Sequence, residues 1–157
     1  AYFSDTDEFR AFREENLNEL WPRLERVDRL IGFNSEHFDI PILQNYYTGD
    51  LSNIPHLDIL KEVKRVLGFR IKLNDLARAT LNTEKSAHGL QAVEWFKTRE
   101  WEKIETYCLD DVRITRDLYE FGKKNKQLFY SDAAGIKPFP VRFDAPIAQK
   151  GAAPVSI

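Results

Sequence analysis

The chain contains few of the residues on which several common kinds of site depend. Its single cysteine, Cys108, excludes an intrachain disulfide and a cysteine-based zinc site. The three histidines are scattered without a His-x-x-x-His pair, and the seven glycines form no phosphate-binding loop, which argues against a nucleoside triphosphate site. The Gly-x-Ser-x-Gly turn of serine hydrolases is also absent. Acidic, phenolic and amide side chains therefore remain as the candidates for chemistry.

Long apolar runs and a strong excess of one charge are absent as well. No stretch approaches the roughly 20 apolar residues that cross a bilayer, and the N-terminus lacks the basic start and apolar centre of a signal peptide. We therefore expect a cytoplasmic protein without a membrane span, which the lone cysteine also suits. With 23 basic against 25 acidic side chains, the net charge argues neither for nor against a nucleic-acid partner.

The pattern of apolar residues predicts one helix-rich α/β domain over residues 1–143, followed by a loose tail at 144–157. Residues 29–34 are expected to form a short buried strand, because they are a brief apolar run that ends at Asn34. Residues 127–143 could supply one edge strand. An isolated strand is unstable, so such a small number of strands means that the sheet is tiny or that part of it lies outside this chain.

Most of the chain is expected to be helical. An amphipathic helix is predicted from about Asp5, with apolar residues at spacings of three and four as far as Leu24 and a break at Pro22. A helix over 38–50 places Pro41 in its first turn and Gly49 at its end. The remaining predicted helices are one capped by Asp58, two over 73–81 and 89–96, and a long one from Trp101 to about Gly122.

The long helix carries a carboxylate in an apolar face. One continuous face is formed, at spacings of three and four, by Ile104, Tyr107, Asp111, Ile114, Leu118 and Phe121. An unpaired buried carboxylate costs about several kcal/mol, so Asp111 needs a cation, a metal ion or contact with water. Solvation at the rim, or pairing with Arg78, Arg113 or Arg116, explains Asp111 as well as a functional site does. The neighbouring Asp110 is expected on another face, at the surface.

Polar side chains also follow the predicted strand. Asn34 and Asp39 stand where the strand ends and the next helix begins. An aspartate in a first helical turn is usually a cap that the helix dipole stabilises. Here, however, the helix follows directly on a buried strand, and open α/β sheets hold their ligands at the carboxyl ends of strands. Asp39 and Asp111, with the phenol of Tyr107 one turn before Asp111, therefore form a candidate constellation.

The segments GFNSEHFDIP and YCLDDVRITRDLY resemble the second and third motifs of the DEDD superfamily of 3′–5′ exonucleases. The Tyr-x-x-x-Asp spacing of Tyr107 and Asp111 resembles the tyrosine-bearing branch (DEDDy), since the histidine branch has a histidine at the position of Thr106. Residues 57–96 are similar to bacterial predicted exonucleases close to the exonuclease domain of family B polymerases. The resemblance covers roughly residues 2–143, and it implies a ribonuclease H-like sheet wrapped by helices.

The resemblance also implies a set of roles. Two divalent ions, Mg²⁺ or Mn²⁺, are held by four carboxylates in such sites, and Asp39 and Asp111 match two of these ligands. Tyr107 would orient the attacking water. Asn34 and Phe38 would hold the terminal nucleotide, while His37 lies close enough to touch substrate. The implied substrate is a single-stranded 3′ end, of DNA more than of RNA, and a helicase or polymerase partner is expected by analogy with relatives.

The family's first motif, an Asp-x-Glu that supplies two of the four carboxylates, is not found in the sequence. Asp5 is followed at i+2 by Asp7, and no apolar strand precedes it, so we interpret both as residues at the start of a helix. The N-terminal strands of the fold are then missing from this chain, and we expect the polypeptide alone to have little or no nuclease activity. An Asp-x-Glu in sequence upstream of Ala1 would support the enzyme.

Two other functions remain open. The first is a non-catalytic module that keeps the ribonuclease H-like fold and binds nucleic acid or a partner protein. The second is a helical interaction fragment without a nucleic-acid role, for which the spacing of Asp39, Tyr107 and Asp111 is a coincidence. A structure with Asp39 and Asp111 on opposite sides of the molecule would exclude the nuclease interpretation.

Overall fold

The computed structural model of the chain describes residues 1–83 and 89–144, which fold into a helix-rich α/β architecture. The strands are β1 (Tyr2–Phe3), β2 (Glu8–Phe9), β3 (Leu30–Gly32), β4 (His56–Asp58), β5 (Gln127–Asp132) and β6 (Gly135–Pro140). The helices are α1 (Trp21–Leu24), α2 (Asp39–Gln44), α3 (Ile59–Leu67), α4 (Leu73–Leu81), α5 (Gly89–Lys97) and α6 (Trp101–Asn125), with 3₁₀ turns at Glu14–Glu19 and Leu51–Asn53.

Strands β3 and β4 form the parallel pair that positions the polar residues. Gly32 at the end of β3 stands opposite Asp58 at the end of β4, so both chains leave the pair at the same edge. The strand predicted at 29–34 is present but shorter, at Leu30–Gly32, and its residues are half-buried, not buried as predicted. Strand β4 was not predicted, because its three residues are too short for an alternating pattern and follow Pro55 directly.

The main core lies between this pair, helices α3, α4 and α6, and the C-terminal hairpin. Its buried residues are Leu57, Ile59, Val63, Leu76, Leu118, Leu128, Phe139, Val141 and Phe143. The predicted helices over α3 to α6 are confirmed, as is the cap of α3, since the Asp58 carboxylate accepts hydrogen bonds from the backbone N–H groups of Leu60 and Lys61. Helix α6 passes Gly122 and ends at Asn125, before Lys126 in the left-handed region (φ 58°).

The predicted amphipathic helix from Asp5 is wrong. Strands β1 and β2 form an antiparallel hairpin instead, with Asp7 in the left-handed region (φ 52°) in the intervening turn. The ring centroids of Tyr2 and Phe9 lie 4.8 Å apart, and the guanidinium of Arg116 on α6 sits over both rings. Aromatic contacts across the hairpin and with α6 therefore outweigh the helical spacing, and Asp5 and Asp7 are turn residues.

Two further expectations need correction. Helix α2 ends at Gln44, well before Gly49, because the Gln44 amide donates to the carbonyls of Tyr47 and Gly49 and accepts from the N–H of Leu51 (2.9 Å). Its side chain thus fixes a loop where the helix was expected to continue. Residues 127–140 form a two-stranded antiparallel hairpin and not a single edge strand. The predicted break near Pro22 is confirmed, since a separate short helix, α1, begins at Trp21 with Pro22 in its first turn.

A second cluster, formed by Phe3, Leu20, Leu24 and Leu51, packs the N-terminal segment against the loop after α2. Among residues 1–83 and 89–144, no helix is both long enough and apolar enough to cross a membrane. The predicted tail lies outside the described residues apart from Asp144.

Candidate active site

The buried carboxylate of Asp58 organises the edge where β3 and β4 end. It caps α3, as described above, and it also reaches across to the segment that follows β3. Its Oδ1 accepts from the backbone N–H of Asn34 (2.9 Å), and its Oδ2 accepts from that of Glu36 (3.1 Å). Asp58 is 5% exposed, so these charge-assisted bonds are shielded from water. One side chain therefore holds both strand-end segments in register.

The segment after β3 makes a tight turn before α2. Asn34 adopts left-handed backbone angles (φ 63°), and its carbonyl accepts from the N–H groups of His37 (3.2 Å) and Phe38 (3.1 Å). Ser35 folds back over Gly32, where a Cβ atom would lie 2.1 Å from its Oγ. The hydroxyl of Ser35 is buried and lies 2.8 Å from Nε2 of His56. The turn is thus built on β3 and β4, and it leads directly into Asp39.

Asp39 is the first residue of α2, and it is exposed at the surface although neighbouring protein atoms partly desolvate its carboxylate. This partial desolvation raises the pKa of Asp39 above its ordinary value, and the negative charges of Asp58 and Asp111 add to the rise. A backbone hydrogen bond and the nearby His56 act in the opposite direction. The simple interpretation of Asp39 as a stabilised helix cap does not predict such a shift, because a dipole-stabilised carboxylate has a lowered pKa.

Asp111 and Tyr107 lie one turn apart on α6, the helix that packs against β3. Oδ1 of Asp111 is shielded from solvent. The arginines that the sequence offers as its partners each contact another carboxylate, since Arg113 meets Asp110, Arg116 meets Asp117 and Arg78 meets Asp75. The ring of Tyr107 meets the ring of Trp95 on α5 edge to face, with centroids 6.2 Å apart.

Two of the predicted site residues from distant parts of the sequence lie within electrostatic reach of each other. The charge of Asp111 acts on the carboxyl group of Asp39, although 72 positions separate them in the chain. Phe38 and His37 precede Asp39 directly, and both are exposed, Phe38 by 61%. Asn34 stands one turn earlier and lies beside an open cleft of about 520 Å³.

The donor chemistry of this site suits a hard divalent cation. Carboxylate oxygens are the ligands that Mg²⁺ and Mn²⁺ prefer. The pKa of Asp39 is raised mainly by desolvation, and a dication would stabilise its ionised form and offset the smaller contribution from the charges of Asp58 and Asp111. Within residues 1–83 and 89–144, however, no three His, Cys, Asp or Glu side chains are grouped closely enough to hold a metal ion. The two aspartates therefore have the chemistry of part of a metal site and do not form a complete set of ligands.

Sequence reasoning missed three residues that shape this site. Asp58 was recognised only as a helix cap, although its place at the end of a second parallel strand is a signal for a wider role. His56 forms a hydrogen bond with Ser35. Burial lowers the pKa of His56, although the negative charges of Glu36 and Asp58 act in the opposite direction. Arg70 donates to Oδ1 of Asn34 (2.8 Å), a contact across 36 positions that no local pattern reveals.

Comparison with known protein families gives one match. The family model described as RNase_H superfamily matches residues 2–121, a range that contains all six predicted site residues and ends before the C-terminal hairpin. Neither the curated proteins nor the solved structures gave a match to the chain.

Proposed function

Since the chain belongs to the ribonuclease H superfamily, we propose that it is part of a metal-dependent 3′–5′ exonuclease domain of the tyrosine-bearing DEDD type. The superfamily supports nuclease chemistry and nucleic-acid binding in general. The observation that carries the finer proposal is the electrostatic interaction of Asp39 with Asp111. These two residues occupy the positions of the second-motif and third-motif carboxylates in the resemblance.

Asp39 and Asp111 would hold Mg²⁺ or Mn²⁺ through their carboxylate oxygens. When bound, such ions activate a water molecule and stabilise the oxygen that leaves the phosphodiester. Both carboxylates stand on regular elements of the fold, because α2 begins at Asp39 and Asp111 belongs to α6, the helix that packs against β3.

The surrounding side chains bind and orient the substrate in this proposal. Tyr107 orients the attacking water from the turn before Asp111. Phe38 offers an exposed ring to the terminal nucleobase, and Asn34 and His37 contact the strand end. The substrate is a single-stranded 3′ end, of DNA in preference to RNA, and by analogy with relatives the partner is a cytoplasmic helicase or polymerase.

Two carboxylates do not neutralise two closely spaced dications, so we expect little or no nuclease activity from this polypeptide alone. The described residues contain no third grouped ligand, which favours a second candidate, a non-catalytic module that keeps the fold and binds nucleic acid or a partner. The two candidates differ in whether Asp39 and Asp111 still bind a metal ion.

Manganese binding, measured by the loss of the free Mn²⁺ signal in electron paramagnetic resonance, separates the candidates. The wild-type chain should bind Mn²⁺, and Asp39→Asn or Asp111→Asn should each weaken binding by about tenfold or more. Asp110→Asn is the matched control, because it removes the same charge from the neighbouring position, where the carboxylate contacts Arg113. Equal losses in all three variants, or none in the first two, would refute the metal site and leave the non-catalytic module.

Trimming of 3′-labelled single-stranded DNA in the presence of Mn²⁺ tests the expected inactivity. The polypeptide should release little label over the background of Asp111→Ala. Efficient trimming that Asp111→Ala abolishes would contradict the inactivity, support the exonuclease and require substitute ligands for the second metal ion.

A further inference from the structure

Two adjoining clefts lie beside the candidate active site, on the loop of residues 68–72 that joins α3 to α4. The first, of about 520 Å³, is lined by Phe33 and Asn34 and by Arg70, Ile71 and Lys72 of the loop. The second, of about 420 Å³, shares these three loop residues and adds Phe69 and Arg78. The two clefts therefore adjoin at the loop, and we call them together the groove; its end nearest the candidate active site is at Asn34.

The loop is anchored to the candidate active site. Gly68 ends α3 in the left-handed region (φ 81°), which turns the chain sharply toward the segment after β3. Arg70 then donates to the side-chain oxygen of Asn34, whose backbone N–H is held by the buried Asp58. The groove and the site therefore share Asn34, which hydrogen bonds hold on both sides.

The groove is cationic although the chain as a whole has a formal net charge of −2. Three basic side chains line it, Arg70, Lys72 and Arg78, against the single carboxylate of Asp75. The contact of Arg70 is to a neutral amide, so its charge is not neutralised there. Arg78 and Asp75 form an exposed pair on α4 that solvent screens. A line of positive charge that leads away from a phosphodiesterase site matches a phosphate backbone.

An exposed aromatic ring completes the groove. Phe69 is 47% exposed, and its ring is held edge to face against Tyr130 of β5 with centroids 5.9 Å apart. A basic groove with a fixed aromatic ring is typical of surfaces that bind single-stranded nucleic acid, because unpaired bases offer their faces for stacking. A duplex hides those faces inside its stack.

We propose that this groove binds the nucleotides that precede the 3′ end of a single-stranded substrate, an inference that rests on the proposed function. Arg70, Lys72 and Arg78 contact successive phosphates, and one base stacks on Phe69. The bound nucleic-acid strand thus runs from the site at Asp39 and Asn34 along the 68–72 loop to β5.

Binding of a 5′-fluorescein-labelled single-stranded DNA, measured by anisotropy in EDTA over a range of salt concentrations, tests the charge. Lys72→Gln/Arg78→Gln should weaken binding by about tenfold and lower the salt slope by about 1.4, since each lost phosphate contact contributes about 0.7 for single strands. Arg65→Gln/Lys97→Gln removes the same charge from exposed positions on α3 and α5 that line neither cleft, and it should stay close to wild type. Equal DNA affinity and equal salt dependence in the two double variants would overturn the proposal.

Phe69→Leu tests the stacking and the strandedness. The wild-type chain should prefer the single strand to a blunt duplex of the same sequence, and Phe69→Leu should weaken single-strand binding by about tenfold while leaving duplex binding unchanged. Circular dichroism establishes that each variant is folded. Equal wild-type affinity for duplex and single strand, or no effect of Phe69→Leu, would overturn the single-strand assignment.

These measurements fail independently of the proposed function. Binding in EDTA requires neither a metal ion nor hydrolysis. If Asp39→Asn and Asp111→Asn weaken Mn²⁺ binding no more than Asp110→Asn does, while DNA still binds in the groove, the exonuclease site alone is refuted. Intact Mn²⁺ binding at Asp39 and Asp111, with identical DNA affinity in the groove and control variants, would refute the groove alone.

Discussion

At the scale of single residues, the candidate site places negative charges together at a cost in stability. Burial and the charges of Asp58 and Asp111 disfavour the ionised form of Asp39. Ionisable groups whose charged form is destabilised by the fold are common at functional sites, where they serve binding and not folding. The pH dependence of stability therefore reports on the site even without a substrate.

We expect Asp39→Asn to raise the melting temperature of the metal-free protein at neutral pH. A raised pKa means that the folded state binds the proton more tightly, so ionised Asp39 destabilises the fold at pH values above its folded pKa. That penalty is relieved as the pH falls through the folded pKa toward the ordinary value of 3.8, and the two proteins should then converge. Thermal melts followed by circular dichroism across this pH range measure the difference.

Mn²⁺ provides the control for this prediction. The ion should raise the melting temperature of the wild-type chain and should change that of Asp39→Asn much less. A variant that melts below wild type at neutral pH, with a gap that does not depend on pH, would show that Asp39 acts as an ordinary helix cap.

The site residues differ in how far the sequence predicts them. Asp39 and Asp111 could be found, because an acidic residue in an apolar helical face and another at a strand end both conflict with simple burial. Their convergence could not be derived from either pattern alone. Arg70 and Asn34 meet through a turn whose angles depend on Gly68 and on the left-handed Asn34, and such geometry leaves almost no local signal.

At the scale of elements, α6 and the C-terminal hairpin are joined through a glycine. The sequence suggests Gly122 as the end of the helix, yet it lies within α6, and a Cβ atom there would lie 2.3 Å from Cε2 of Phe143. Phe143 is 1% exposed and belongs to the main core. The glycine is thus required by the close approach of a buried ring and not by helix termination.

We expect Gly122→Ala to destabilise the protein by about 1–3 kcal/mol, the usual effect of overpacking a core. Alanine is the better helix former by about 1 kcal/mol, so the sign of the change decides whether packing or helix propensity dominates. Urea unfolding measures the free energy. In a Phe143→Leu background the penalty should shrink, because the smaller side chain leaves room for the methyl group. A stabilising Gly122→Ala in the wild-type background would contradict this packing.

Elements with a long, regular apolar pattern were predictable, and the short ones were not. Helices α3, α4 and α6 follow from their periodicity and from the cap at Asp58. The β1–β2 hairpin could not be predicted from periodicity, since Phe9 fits a helical spacing as well as it fits a cross-strand contact with Tyr2. The choice between the two depends on Arg116, more than 100 positions away.

At the scale of the whole molecule, the described residues bury their apolar side chains in two clusters. The main core contains the residues around β3, β4 and α6, which carry the candidate site. The C-terminal hairpin and the residues after it contribute Leu128, Phe139, Val141 and Phe143 to that core. The segment beyond the matched range of 2–121 is therefore part of the support of the site.

Truncation tests this division of the molecule. A chain that ends at Lys126 loses four buried residues of the main core, and we expect it to lack a cooperative thermal transition. A chain that ends at Asp144 keeps those residues and the contact of Lys126 Nζ with the Asp144 carboxylate (2.7 Å). The interpretation of 144–157 as a loose tail predicts that this second chain melts within a degree or so of the full chain. A cooperative transition in the first chain would mean that the candidate site folds without the hairpin, because helix α6 and the parallel pair would then suffice to hold Asp111 near Asp39.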